Sequence, residues 1–438
     1  MSVAIALFTR DLRVHDNPVL DAAARSAREV VPLFVLDEEI LGGEFNRPNR
    51  ARFLAQCLAD LDERLARLGA GLVVRRGDVV AEVAALAGRT GAGEVFTSAD
   101  VSGYAQRRQK RLGDALGDGR LHLMPGLTVV PPGRLVPKGK DHAAVFTPYY
   151  RKWSAVGVAA PRPPPRRLRP PEGLDPGRLP APWDICPGAA SPLLPPGGET
   201  AARALLHDWL GGGLAAYERS RDDLAADATS RLSPYLHFGC LSPAEAVARA
   251  AGRGEGAAAF VRQLAWRDFH HQVLAARPDA TTADYRPRGH AWIHDESALA
   301  AWREGRTGVP IVDAAMRQLL REGWMHNRAR LITAAFLTKG LRLDWRLGAR
   351  HFFDLLVDGD IANNTMNWQW VAGTGNDTRR DRPFNVLRQA RRFDPGGAYV
   401  RRHVEELAGV EGPAAHTPWR LDGARRRGLG YPSPLIEV

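Results

Sequence analysis

The runs VAIALF (residues 3–8) and VVPLFVL (residues 30–36) decide the N-terminal fold, because each is a short, unbroken apolar stretch rich in strand-forming residues. Such runs read as buried strands. Leu72–Val74, Glu94–Thr97 and Leu121–Leu123 continue the series, and amphipathic patterns such as Ala51–Leu68 and Val79–Ala87 separate them. Strand alternating with helix predicts a parallel α/β domain over residues 1–130. Its connections carry neither a GxGxxG fingerprint nor a Walker loop, so the first turn offers no dinucleotide or nucleoside triphosphate site.

Residues 131–198 shift to Pro, Arg and Gly, including PRPPPRRLRPP at 161–171, and predict a long extended interdomain linker. From Glu199 the apolar period becomes helical. Phe260, Leu264, Phe269 and Val273 recur at near-helical steps, as do IVDAAMRQLL (311–320) and RLITAAFL (330–337). An all-helical domain over 199–438 follows, and it holds nine of the 11 tryptophans, from Trp209 to Trp419.

At 438 residues and 45% hydrophobic composition the chain can bury two cores. Its formal charge of +11 favours a polyanionic partner, although an ordinary arginine-rich surface explains the number as well. Cys57, Cys186 and Cys240 have no paired spacing, which argues against a disulfide framework. The 13 histidines include the pair His270 and His271 but no HExxH motif, so no metal is expected. No apolar run is long enough for a bilayer, and the start lacks a secretory pattern; a cytoplasmic protein is expected.

Three groups of side chains carry possible chemistry. The hydroxyls of Thr229, Ser230 and Ser233 surround Arg231 just before Pro234, a set that can serve a diphosphate or merely cap a helix. Asn327 and Arg330 lie three apart, and Asp358 and Asp360 straddle Gly359; burial would force these groups to find partners, in a cofactor site or a structural ion pair. Gln263 and Trp266 lie one helical step apart and can face one cavity, with Trp370 as another aromatic wall. Ordinary core packing is the alternative for each tryptophan.

Four segments, TSRLSPYLHFG (229–239), QLAWRDF (263–269), GWMHNRAR (323–330) and DGDIANNTMNWQW (358–370), together resemble the photolyase and cryptochrome family, with further similarity at RDLRVHDN and TPYYRKW. The likeness covers essentially the whole chain. It implies an N-terminal antenna domain and a C-terminal domain that binds FAD. It also implies that Tyr217, Thr229, Ser230, Arg231, Leu232, Ser233, Arg267 and Asn327 contact the cofactor. Arg330 and Asp358 would pair beside the isoalloxazine, with Asp360 near its polar edge and Asn364 against N5. Gln263, Trp266, Asn327 and Trp370 would meet a flipped pyrimidine dimer. Trp292, Trp345 and Trp368 match the family's electron-hopping chain, whereas Trp302 and Trp324 are left as core positions.

Within the family the chain most resembles class I cyclobutane pyrimidine dimer photolyases of the deazaflavin-antenna type. Those enzymes often carry Glu where this chain has Gln263 and Met where it has Leu331. Enzymes for the (6-4) photoproduct use a histidine pair at the positions of Asn327 and Leu331, so that activity is disfavoured. A non-repairing blue-light sensor is the main alternative. A non-enzymatic DNA-binding protein is the other, motivated by Arg379, Arg380, Arg382, Arg388, Arg391 and Arg392.

Repair would begin with phosphate contacts from Arg221 and Arg388 to ultraviolet-damaged DNA. The segment ADVSGYAQRRQKRL (99–112) resembles members with an 8-hydroxy-5-deazaflavin antenna more than those with a folate. Asp37, Arg52 and Asp100 are its expected contacts, at strand ends where α/β domains place ligands. The family also suggests a monomer with no obligate protein partner.

Overall fold

A computed structural model describes residues 2–377 and 384–438. The chain forms two compact units that interleave along the sequence: residues 1–190, 195–215 and 230–278 in one, and residues 191–194, 216–229 and 279–438 in the other.

The first unit contains a five-stranded parallel sheet, β1 (Val3–Phe8), β2 (Glu29–Asp37), β3 (Val73–Gly77), β4 (Ala92–Ser98) and β5 (Leu121–Met124), in the order β3-β2-β1-β4-β5. All five expected strands are present. Every residue of β1 is buried, as an unbroken apolar run in a parallel sheet requires. Helices α1 (Pro18–Ser26), α2 (Pro48–Arg67), α3 (Val79–Thr90) and α4 (Gly103–Leu116) connect the strands. Asn17 caps α1 by accepting from the Val19 and Leu20 amides, and Asp78 caps α3 in the same way from Ala81.

Within the proline-rich stretch, Phe146–Trp153 forms a helix, α5, whose Phe146, Tyr149 and Trp153 are buried. It packs on α7 (Glu255–Ala276), reached after a short helix α6 (Ser233–Phe238). Asp268 of α7 accepts from the Trp153 indole and from the Val130 amide, both at 2.9 Å. Gln272 exchanges two hydrogen bonds of 2.8 Å with the backbone of Ala143. These ties explain how a segment poor in apolar residues is held.

The second unit is helical. Its core gathers α8 (Pro310–Glu322), α9 (Asn327–Ala335), α10 (Trp345–Leu355), α11 (Ile361–Ala372) and α12 (Val386–Phe393) around Trp302, Met316, Phe336, Phe352 and Trp368. A π-helical turn, Phe336–Gly340, extends α9. Gly348 of α10 admits Trp368: a Cβ there would stand 2.2 Å from the indole. Among the described residues no helix is long and apolar enough to cross a membrane.

Candidate functional site

In the second unit, the first turn of α9 and the turn before α11 meet through charge. Arg330 donates from Nη2 to Asp358 at 2.8 and 3.1 Å and from Nε to the Met325 carbonyl at 2.8 Å. The Asp358 side chain is 3% exposed and that of Arg330 is 23% exposed, so the pair is sealed on the acid side and open on the guanidinium side. Two residues on, Asp360 caps α11 by accepting from the Asn363 amide at 2.9 Å and from its side chain at 2.8 Å. Asn364, one step further, donates to the Ala349 carbonyl at 2.9 Å. Four of the expected flavin contacts therefore lie on α9, on the turn before α11 and on α11 itself.

His326 prepares this arrangement. Its Nδ1 accepts from the Arg328 amide at 3.1 Å and so caps α9, while its buried Nε2 has no partner. Burial pushes its pKa down to about 4, against the pull of Asp227 and Asp222. Asn327 is exposed at the first position of α9. Tyr217 is buried, which pushes its hydroxyl pKa up to about 12, and its carbonyl accepts from the Arg221 amide at 2.9 Å. Arg221 also pairs with Glu218 at 3.3 Å.

Thr229 belongs to the second unit, and its hydroxyl is buried without a hydrogen-bond partner. A buried hydroxyl in that state costs about 1–3 kcal/mol, which a ligand oxygen would relieve. Ser230–Ser233 belong to the first unit. There Arg231 sits at φ 49°, a left-handed conformation that non-glycine residues seldom adopt and that marks functional turns. The Ser230 hydroxyl accepts from the Leu232 amide at 3.4 Å, Leu232 is buried and Ser233 is exposed at the start of α6. The orphaned Thr229 hydroxyl thus fits an oxygen of a diphosphate-bearing group.

On α7, Gln263 and Trp266 are both half-buried. Phe146 of α5 stacks on Trp266 with centroids 3.6 Å apart and an 8° interplanar angle, while Arg262 lies 5.2 Å from the Phe146 ring. The TPYYRKW segment that follows Phe146 was the available sequence signal for this support. Arg267 donates to the Leu127 and Leu236 carbonyls and lies 3.8 Å from Asp268.

The other tryptophans divide by burial. Trp368 is 2% exposed, with Phe352 and Trp302 edge-on at 5.0 and 6.1 Å. Trp345 is 1% exposed and donates from its indole to Asp284 at 2.9 Å. Trp292 is half-buried and stacked on His290. Trp302 and Trp324 are buried, as expected of core positions. Trp370 and Leu331 line a cavity of about 260 Å³ together with Arg328, Lys339, Phe384 and Arg392. Arg388 is exposed on α12; Arg379, Arg380 and Arg382 lie outside the described residues.

At the sheet, a polar cluster occupies the switch point between β1 and β4, where open α/β sheets bind ligands. Asp11 accepts from the Ser98 hydroxyl at 2.7 Å and from the Thr9 amide at 2.8 Å, and Arg10 pairs with Asp100 at 3.4 Å. Burial acts to raise the pKa of Asp100, but Arg10, the Val101 amide and Arg108 hold it below the usual value. Asp37, beside its own helix cap to Glu39, is pushed up by burial. Arg108 is the guanidinium whose field acts on Asp11, Asp37 and Asp100, whereas Arg52 is exposed on α2. Arg108 lies within the ADVSGYAQRRQKRL segment, yet nothing in its spacing marks it as buried. The hydroxyls of Thr9, Thr97 and Tyr104 are buried here without partners. Among the described residues no cluster of His, Cys, Asp or Glu is arranged to hold a metal.

Comparison with known proteins adds the following. The family described as DNA photolyase matches residues 4–168, and the FAD binding domain of DNA photolyase matches residues 260–438. A deoxyribodipyrimidine photo-lyase of Streptomyces griseus is 57% identical, with 100% of this chain and 97% of the relative covered. A cryptochrome DASH of Natronomonas pharaonis is 35% identical over 100% of this chain and 98% of its own length. The crystal structure of a bacterial class III photolyase from Agrobacterium tumefaciens superposes with a TM-score of 0.92 at 34% identity, covering 100% of this chain and 94% of that one.

Proposed function

This chain belongs to the DNA photolyase and cryptochrome family, FAD-dependent proteins of light-driven DNA chemistry, and we propose that it repairs cyclobutane pyrimidine dimers. The observation that carries this reading is the cavity lined by Trp370 and Leu331 together with Arg328, Lys339, Arg392 and one acid, Asp377. A flipped dimer loses stacking and keeps its phosphates. An aromatic and aliphatic lining that also carries three cations against one acid answers both needs.

The chemistry supplied by bound FAD is light-driven donation of one electron to the dimer and its recovery after ring opening, with no net redox change. The protein's part is placement and electrostatics. Arg330, fixed by Asp358 and the Met325 carbonyl, presents its open edge as positive charge beside a reduced ring. Asp360 and Asn364 order the start of α11, and the unpartnered Thr229 hydroxyl is assigned to the diphosphate. Asn327, exposed at the head of α9, and Gln263 would hydrogen-bond the dimer's polar edge, and Trp266, backed by Phe146, would stack on it. Arg221 and Arg388 would meet phosphates.

The N-terminal switch-point cluster is assigned to an 8-hydroxy-5-deazaflavin antenna, with Asp37 and Asp100 among its contacts. The unpartnered hydroxyls of Thr9, Thr97 and Tyr104 support a ligand there.

The test is repair by purified, chemically reduced protein under blue light, read as loss of dimers from irradiated oligonucleotides, with binding to damaged and undamaged duplex compared at fixed salt. Light-dependent dimer loss and preference for damaged DNA are expected. Flavin photoreduction with dimers left intact would favour a light sensor instead, and colourless protein would favour a plain DNA-binding role.

A further inference from the structure

An electron drawn inward through Trp292, Trp345 and Trp368 leaves a hole at the outermost ring, which must be refilled from solution. We infer that a small phenol docks beside Trp292 and refills it; the inference rests on reading Trp292 as the outer end of that chain.

A cavity of about 510 Å³ opens at this ring, lined by the apolar side chains Trp292, Phe336, Phe384 and Ile436 and by His290, Lys339 and Glu437. Its volume falls within the few hundred cubic ångströms typical of small-molecule sites. Phe336 comes from the π-helical turn Phe336–Gly340, a local unwinding that recurs at functional sites. Gly340 fixes the opposite wall: a Cβ there would stand 3.0 Å from Ile436 Cδ1, so the glycine lets Ile436 seat.

His290 gives the site its chemistry. Its ring stacks on Trp292 with centroids 4.9 Å apart at 25°, and its Nε2 is buried with no hydrogen-bond partner. Three aromatic walls favour a flat ring as ligand. One unpartnered imidazole nitrogen favours a hydroxyl that can donate to it, in the tautomer that carries the ring proton on Nδ1. Lys339 and Glu437 line the same cavity with opposite charges, so the lining favours a neutral ligand over either ion. A neutral phenol meets all three conditions.

The step balances. The phenol O–H bond breaks; its electron passes to the Trp292 radical cation, its proton passes to His290 Nε2, and a neutral phenoxyl radical remains. One positive charge stands on Trp292 before the step and one on the imidazolium after it.

The experiment uses the holoprotein with oxidised FAD and 4-methylphenol as probe, with a simple thiol as control. Calorimetric titration in the dark should show saturable phenol binding, weakened roughly tenfold or more in Ile436→Trp, which fills the cavity. After a laser flash, decay of the tryptophan radical should saturate with phenol at the same concentration, while the thiol acts with a linear dependence in both proteins. His290→Phe keeps the stack and removes the proton acceptor; it should weaken dark binding less than Ile436→Trp does, slow the decay and abolish its solvent deuterium isotope effect. Absence of dark binding, or a phenol dependence that stays linear, overturns the proposal. A radical signal that persists unchanged in Trp292→Phe instead rejects Trp292 as the outer donor, and the dark titration still decides whether the cavity binds a phenol.

Discussion

Arg330 holds Asp358 by both carboxylate oxygens, at 2.8 and 3.1 Å, while the Met325 carbonyl accepts from Nε of the same guanidinium. The acid is sealed from solvent, so removing its partner strands a buried charge. Arg330→Ala should therefore lower the unfolding free energy by about 3 kcal/mol and strip FAD, whereas Asp358→Asn, which removes the charge and keeps the shape, should lose less stability. Urea unfolding and flavin absorbance per protein check this. Equal stability losses from Arg330→Ala and from the exposed Arg388→Ala would refute it.

Gly348 sits where any side chain would press on Trp368. An exposed helical glycine gains about 1 kcal/mol on change to alanine, but overpacking a core costs about 1–3 kcal/mol. Gly348→Ala should be net destabilising and should alter the near-ultraviolet circular dichroism of the buried indoles. A rise in melting temperature would show that the ring has room to move.

The tryptophans Trp368 and Trp266 should separate by assay. Trp368→Phe should slow photoreduction of oxidised flavin while pre-reduced protein still splits dimers. Trp266→Ala should leave photoreduction intact and weaken damaged-DNA binding by about 1–3 kcal/mol, the range for base–aromatic stacking. Both variants are compared at matched FAD occupancy; equal losses in both assays would dissolve the division of roles.

Acid should loosen the turn that carries Arg330. His326 titrates near 4 in the folded chain, against 6.5 for an unburied ring. Above pH 6.5 the ring is neutral in both states and its contribution is complete. Between about 6.5 and 4 the unfolded chain binds a proton that the folded chain refuses, so stability falls as pH falls, by up to about 3 kcal/mol. His351 is shifted in the same direction. His326→Asn, which keeps a capping acceptor, should flatten this part of the profile. An unchanged slope in the variant would place the acid sensitivity elsewhere.

How far the sequence could be read depended on what each residue needed. Val3–Phe8 emerges as a strand end to end, because burial on both faces leaves an unbroken apolar run. β3 runs on through Arg75 and Arg76, where side-chain character says nothing but the backbone still pairs with Val35 and Leu36. The helix Phe146–Trp153 was hidden by the proline-rich composition around it, although its buried residues fall at helical spacing. Arg330 and Asp358 were legible as a pair through the family motif. Arg108 was not, because the burial of a guanidinium is decided by Asp11, Asp37 and Asp100, which reach it only in the fold. His290 and Ile436 are separated by a long stretch of chain and share a cavity only through tertiary packing.

The indole of Trp345 donates to Asp284, which also binds Arg346, and the Arg346 guanidinium lies 4.8 Å from the Trp345 ring. A carboxylate at the N–H edge makes an indole easier to oxidise, and a cation near the ring makes it harder. The ease with which this ring gives up an electron is thus set by two side chains pulling in opposite directions, and Asp284→Asn would tilt that balance toward the cation without altering the ring itself. In the proposed relay Trp345 is the middle step, and a step tuned from outside the aromatic system would change its speed by exchange of a neighbour, while the tryptophans stay where they are.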